Sequence, residues 1–216
     1  AQIIGNLTSI FGASRGAESD FYKVTVEAGK TLSFEVLTQS LLSNMDPVVR
    51  LYKPTGELLM HSDDDGASVE PRFQYRFETA GDYLVEVRDA RYAAGGVYYL
   101  RVGDFPIVSS AKPSGYIRGE STTIAFLDTM GHSLGEKAVS ATHGYPNETE
   151  WVSFKPAGAQ SSSWLPVRVV NPGSKILEKS AVVTTLPASL YGNLAETGKP
   201  DLIKFQGLQG LSLIHI

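Results

Sequence analysis

Chemistry is concentrated in one place in this sequence, and it is acidic. Asp63, Asp64 and Asp65 are consecutive, Asp46 lies upstream and Glu70 downstream. If a strand opening at Asp46 runs out to a turn at 53–56 and back along 57–61, Asp46 and the Asp triplet arrive at the same end of a hairpin. Carboxylates gathered there repel one another, and a hard divalent cation relieves that repulsion. Ca2+ suits such a donor set, since it takes about six to eight oxygen ligands. The expected ligands are Asp46, Asp63, Asp64 and Asp65. The spacing is not that of an EF-hand loop, so the site would be assembled from separate segments. The competing reading is a solvated turn whose Asp side chains cap backbone amides.

Other chemistries find no support. The chain has no cysteine, which removes disulfides, thiolate metal sites and thiol nucleophiles. Its four histidines, His61, His132, His143 and His215, show no metal-ligand spacing and no HExxH motif. No Gly-x-Ser-x-Gly elbow and no phosphate-binding Gly-x-x-x-x-Gly-Lys-Ser/Thr loop occurs. The expectation is a protein segment without catalytic residues. Tyr92, Tyr98, Tyr99, Trp151 and Trp164 are the candidates for a stacking surface toward a polysaccharide or a protein. Alternation puts Tyr98 and Tyr99 on opposite faces of one strand, so one of them belongs to the core. The two tryptophans read as packing residues. Asn6-Leu7-Thr8 and Asn147-Glu148-Thr149 match glycosylation sequons, a pattern short enough to recur by chance.

Around these residues the chain reads as strands. Tyr22, Val24 and Val26 alternate with polar neighbours, as do Leu32, Phe34 and Val36, then Phe73, Tyr75 and Phe77, then Tyr83, Val85 and Val87. A period of two marks half-buried strands. Gly29-Lys30 reads as a tight hairpin, Lys53-Pro54-Thr55-Gly56 as a type I or II turn, Ala80-Gly81-Asp82 as a turn, and Gly95-Gly96 as the turn before the strand 97–102. Residues 37–45 allow one helical turn at most. About eight short strands with turns every eight to twelve residues predict an all-β, antiparallel β-sandwich, jelly-roll-like in its order. Asp104-Phe105-Pro106 marks its end. Further strands are expected at 121–127, 150–154, 165–170 and 181–185, in a segment richer in Ser, Gly and Pro. Their spacing predicts a second, immunoglobulin-like sandwich over 105–189.

The 216 residues are 42% hydrophobic and 19% charged with a formal charge of −4, an ordinary folded composition with no basic cluster for nucleic acid. No apolar run approaches the roughly 18 residues that span a bilayer. The beginning of the chain is also repeated near its end. Gly5-Asn6-Leu7 followed by Asp20-Phe21-Tyr22-Lys23 and Gly29 is matched by Gly192-Asn193-Leu194, Asp201-Leu202-Ile203-Lys204 and Gly210. Residues 190–216 are thus expected to be the truncated start of a second copy of domain 1–104. The run 211–216 departs from that copy and reads either as artefactual or as a short deletion. The start at Ala1 without methionine reads as an internal fragment, so the missing signal peptide says nothing of export.

The ordered set of short motifs resembles the bacterial pre-peptidase C-terminal domain. It comprises Asp20-Phe21-Tyr22-Lys23-Val24, Ala28-Gly29-Lys30-Thr31-Leu32, Met45-Asp46-Pro47-Val48-Val49-Arg50-Leu51-Tyr52, Thr55-Gly56-Glu57-Leu58-Leu59, Ser62-Asp63-Asp64, Ala80-Gly81-Asp82-Tyr83-Leu84-Val85-Glu86-Val87 and Gly96-Val97-Tyr98-Tyr99-Leu100. Together these cover nearly all of residues 1–103. The segment from Phe105-Pro106 through Pro113-Ser114-Gly115 resembles the immunoglobulin-like spacers of large secreted bacterial proteins. The resemblance implies a non-catalytic accessory module of a secreted or surface protein, serving spacing, stabilisation or substrate targeting. It also implies calcium, which some members attached to collagenases bind. A carbohydrate-binding module, or part of a peptidase whose catalytic domain lies elsewhere, are the alternatives. Partners would be extracellular proteins or polysaccharides.

Overall fold

The computed structural model describes residues 2–4, 8–15, 19–64, 69–140, 149–156, 161–178, 183, 186–192, 198–200 and 202–204. Among the described residues nine strands come first: β1 (Gln2–Ile4), β2 (Thr8–Arg15), β3 (Asp20–Val26), β4 (Thr31–Leu37), β5 (Pro47–Tyr52), β6 (Leu58–Ser62), β7 (Arg72–Arg76), β8 (Gly81–Asp89) and β9 (Ala94–Gly103). They form two sheets, one ordered β1-β3-β8-β5-β6 and the other β2-β9-β4-β7. All pairs are antiparallel except β1 with β3. The inner faces share one apolar core. Tyr22, Val24, Val49, Leu51, Val85 and Val87 come from the first sheet, and Phe34, Val36, Phe73, Leu100 and Val102 from the second. Strands β1–β9 therefore form an all-β sandwich, as the period-two pattern predicts. Leu32 and Tyr75 pack against this core only partly buried.

Aromatic rings fill the middle of it. Phe34 is fully buried and stacks on Phe73 with ring centroids 4.8 Å apart. Phe77 meets Tyr83 edge-on at 4.6 Å. Tyr98 takes the core side of β9 and Tyr99 the half-buried outer side, as alternation requires. Tyr98 runs beneath β2 at Gly12, where a Cβ would sit 2.3 Å from the phenol ring.

Two turns differ from the sequence reading. Gly29-Lys30 is not a hairpin, because β3 and β4 belong to different sheets. The chain crosses there from one layer to the other, with Gly29 at φ 78° and paired to the end of β7 through Gly29 N–H to Phe77 O. Alternation signals a strand but not which sheet it joins. Gly95-Gly96 is not a turn either; both residues lie inside β9. Gly96 is needed there because a Cβ would fall 2.4 Å from that of Met45. The chain reverses instead at 89–93. Among the described residues the one helical turn, Gln39–Leu41, falls in the segment where one is allowed.

Eight further strands lie among the described residues after these: β10 (Ser110–Lys112), β11 (Gly115–Ile117), β12 (Thr122–Leu127), β13 (Ser133–Val139), β14 (Thr149–Val152), β15 (Leu165–Val170), β16 (Lys175–Glu178) and β17 (Ala188–Tyr191). β11 pairs with β15 and β16 with β17, both in parallel. The chain groups into two compact units, one made of 1–110, 126–135 and 151–166, the other of 111–125, 136–150 and 167–216. Near the end, Leu202 and Ile203 are exposed, while Asp201 and residues 205–216 lie outside the described residues.

Candidate metal centre

Asp46 immediately precedes β5, and Asp63 and Asp64 follow β6. The two strands pair antiparallel, Val49 opposite Ser62 and Leu51 opposite Met60, through the turn at 53–56. In that turn Gly56 N–H donates to Lys53 O at 2.9 Å and Lys53 N–H to Glu57 O at 2.9 Å. The pairing carries the start of β5 and the end of β6 to one edge of the sandwich. One carboxylate oxygen each from Asp46, Asp63 and Asp64 lie within 4.8 Å of one another. Asp46 is half-buried and the other two exposed. Asp65 lies outside the described residues.

Asp46 is fixed through its backbone. Its N–H donates to Asp89 Oδ2 at 3.0 Å, and its carbonyl accepts from Ala90 N–H at 2.6 Å. Asp89 is 1% exposed. Its other oxygen accepts from the amides of Arg91 at 2.8 Å and Ala93 at 2.9 Å, which shapes the reversal between β8 and β9. Burial works against the Asp89 carboxylate, but the amides of Ala93, Asp46 and Arg91 outweigh it and hold the group below the usual carboxylate range. The Arg91 guanidinium stands 3.9 Å from Asp46 and is largely exposed. Sequence reasoning missed Asp89. The available signal was an Asp at the end of an alternating strand followed by Ala90-Arg91-Tyr92, where an Asp side chain can cap a turn.

Glu70 does not join this cluster. It is 2% exposed, and its Oε1 accepts from the amides of Thr38 at 2.7 Å and Gln39 at 2.8 Å, capping the helical turn. His61 is exposed on β6. His132 and Asp128 close their own turn, with the amides of Met130 and His132 donating to Asp128 Oδ1. His143 and His215 lie outside the described residues. Trp151 and Trp164 are half-buried; among the candidate aromatics Tyr92 is 50% exposed, its ring 4.6 Å from the Arg88 guanidinium. Among the described residues no helix is long and apolar enough to cross a membrane.

Residues 18–89 match the family model of the bacterial pre-peptidase C-terminal domain. The sandwich at the start of the chain is a domain of that family. The match runs from the residue before Ser19 through the whole Asp46–Asp64 edge to Asp89. Domains of this family are non-catalytic accessory domains. Among solved structures, the chain is similar to the pre-peptidase C-terminal domain of a collagenase from Bacillus anthracis, at 24% identity over 46% of this chain and 90% of that one, with a TM-score of 0.36. It is similar also to PliG of Aeromonas hydrophila, a periplasmic inhibitor of g-type lysozyme, at 16% identity over 47% and 92%, TM-score 0.39. A third is CorA of Methylomicrobium album BG8, a surface-associated copper-binding protein, at 10% identity over 48% and 99%, TM-score 0.34. Comparison with curated protein sequences returns no match.

Proposed function

We propose that this chain is a non-catalytic accessory segment of a secreted or cell-surface bacterial protein, and that its first sandwich is stabilised by Ca2+ held at Asp46, Asp63 and Asp64, with Asp65 adjoining. The observation that carries the calcium reading is the convergence of three carboxylates from the two ends of a hairpin within 4.8 Å. The donor set is all hard oxygen. Three carboxylates supply from three to six of the roughly six to eight oxygens Ca2+ takes, depending on whether each binds through one oxygen or two. Soft and borderline metals want thiolate or imidazole, and the chain has no cysteine.

The role of such a segment is mechanical and positional: spacing, stabilising or targeting an activity carried elsewhere in the parent protein. The layout proposed with it is a first domain over 1–104, an immunoglobulin-like spacer over 105–189 and the start of a second copy from 190. An extracellular or periplasmic setting fits, since millimolar calcium is found there and a chain without cysteine is indifferent to redox conditions.

Binding to the folded state alone raises stability by RT ln(1 + [L]/Kd), about 2.7 kcal/mol at a hundredfold excess of ion over Kd. The test is thermal unfolding of the full chain in millimolar Ca2+ against chelator, with Asp63→Asn and Asp64→Asn alongside. The expected result is a rise in Tm with calcium that either substitution removes. No shift in the wild type would make the cluster a solvated turn.

A further inference from the structure

The outer side of β4, β7 and β9 carries charges that water does not reach. Glu35 on β4 stands directly opposite Arg72 on β7 and opposite Arg101 on β9, so the three form one row across the sheet. Arg72, Glu35 and Arg101 are 6%, 1% and 3% exposed. Residues 161–164, in the same compact unit, lie over this row. Arg101 donates to Ser162 O at 3.1 Å and to Ser161 O at 3.0 Å. The Trp164 amide donates to Glu35 Oε1 at 2.7 Å, Arg101 pairs with Glu35 Oε2, and Arg72 donates to Trp164 O.

This contact differs in kind from the core. Every bond just named joins a peptide group of 161–164, or a neighbour in the row, to an ionic side chain. Three of the four covering residues are serines, which contribute almost no apolar surface, and Trp164 is only half-buried. Further bonds tie it to neighbouring chain, among them Ser163 N–H to Pro106 O at 2.9 Å, Ser162 N–H to Phe154 O at 2.8 Å, Phe154 N–H to Ser162 Oγ at 3.1 Å and Val108 N–H to Ser163 Oγ at 2.7 Å. A segment held by apolar burial opens only when the core does; one held by a few polar bonds can open locally. Opening also returns three buried ionisable side chains to water, which offsets much of what the broken bonds lose.

We propose that residues 161–164 form a strap that opens and closes over β4, β7 and β9 independently of the sandwich core, latched by the row Arg72–Glu35–Arg101. Glu35 is the centre of the latch because it accepts from both the strap and Arg101. Neutralising it leaves one acceptor oxygen where the Trp164 amide and Arg101 use two, and leaves Arg101 buried beside an uncharged neighbour.

Hydrogen exchange on the full chain, read by mass spectrometry, tests this. In the wild type the amides of Ser162, Ser163 and Trp164 should exchange at least about tenfold faster than the ladder amides of β3 and β8, the signature of local opening. Glu35→Gln should speed the strap by roughly another tenfold and leave β3 and β8 within about twofold. Where Glu35→Gln fails to fold, Arg72→Gln carries the same comparison through the Trp164 carbonyl. Strap amides as protected as those of β3 and β8 in the wild type overturn the proposal. A parallel rise in strap and core exchange in the variant overturns it as well.

Discussion

Asp46 and Asp89 are joined side chain to backbone: the buried carboxylate of Asp89 accepts the Asp46 amide at 3.0 Å while it caps Arg91 and Ala93 in the reversal after β8. One buried group therefore holds both the turn and the half-buried member of the acidic cluster. Asp89→Ala should leave three amides without their acceptor, at a cost of about 1–3 kcal/mol per unsatisfied buried group. It should also weaken any calcium-dependent rise in Tm, because Asp46 loses its anchor. Asp89→Asn, which keeps one acceptor oxygen, should fall between the two. Urea unfolding of the three proteins with and without Ca2+ checks this. An Asp89→Ala protein as stable as the wild type would remove Asp89 from the account.

Phe34→Ala should cost on the order of 3–5 kcal/mol, since it empties a fully buried site and removes the stacking partner of Phe73. Equilibrium denaturation measures it, and a loss under about 1 kcal/mol would mean that neighbouring side chains close the cavity.

The alternating strands between 20 and 103 are legible in the sequence because their signal is local. Alternation at Tyr22-Val24-Val26 and Val85-Val87 places those side chains inward whichever strands they pair with. What alternation cannot carry is the sheet to which each strand belongs, so the Gly29-Lys30 crossing looks like a hairpin in the sequence. Gly95-Gly96 failed for a related reason. A glycine pair signals a turn when nothing else is known, but here Gly96 makes room for Met45, a residue about fifty positions away. In the acidic site, the meeting of Asp46 with Asp63 and Asp64 follows from one short hairpin. Asp89 does not, since its partners lie on another strand. Glu70 shows the opposite error: its nearness in sequence to the triplet says nothing about the amides of Thr38 and Gln39 that take it.

Gly12→Ala tests the close approach of β2 to the core. The new methyl would sit 2.3 Å from the ring of Tyr98, a fully buried side chain whose hydroxyl bonds Tyr22 and Asp20. Overpacking of this kind costs about 1–3 kcal/mol, and here the ring cannot move without breaking those bonds. Burial and both hydrogen-bond partners already keep the Tyr98 phenol far above its ordinary pKa, so ionising it offers no relief below strongly alkaline pH. The measurement is the urea midpoint of Gly12→Ala against wild type. An unchanged midpoint would show that β2 can lift away from Tyr98 at no cost.

The buried row on β4, β7 and β9 fixes a pH dependence with a definite sign. Burial pushes the Glu35 carboxyl from 4.5 up to about 7, against the pull of Arg101, the Trp164 amide and Arg72. The folded protein thus holds this proton more tightly than the unfolded chain does. Below about pH 4.5 the carboxyl is protonated in both states and costs nothing. As the pH rises toward 7 the unfolded chain ionises freely while the folded one resists, so stability falls across that window and levels off above it. At roughly 1.4 kcal/mol for each pH unit of that window, from 4.5 to about 7, the loss amounts to roughly 3 kcal/mol. Glu86 and Asp89 are shifted the other way, Asp89 by its amides and Glu86 by Tyr52 and Ser19 in spite of burial. Their contributions are lost only as the pH falls below the ordinary carboxylate range, outside this window. Glu35→Gln has no proton to exchange there. The stability of the wild type relative to Glu35→Gln should therefore drop by roughly 3 kcal/mol between pH 4.5 and 7 in urea titrations. A difference that is flat with pH, or that grows toward pH 7, would mean that Arg101 and Arg72 hold Glu35 ionised throughout, and the row would then be a permanent ion cluster.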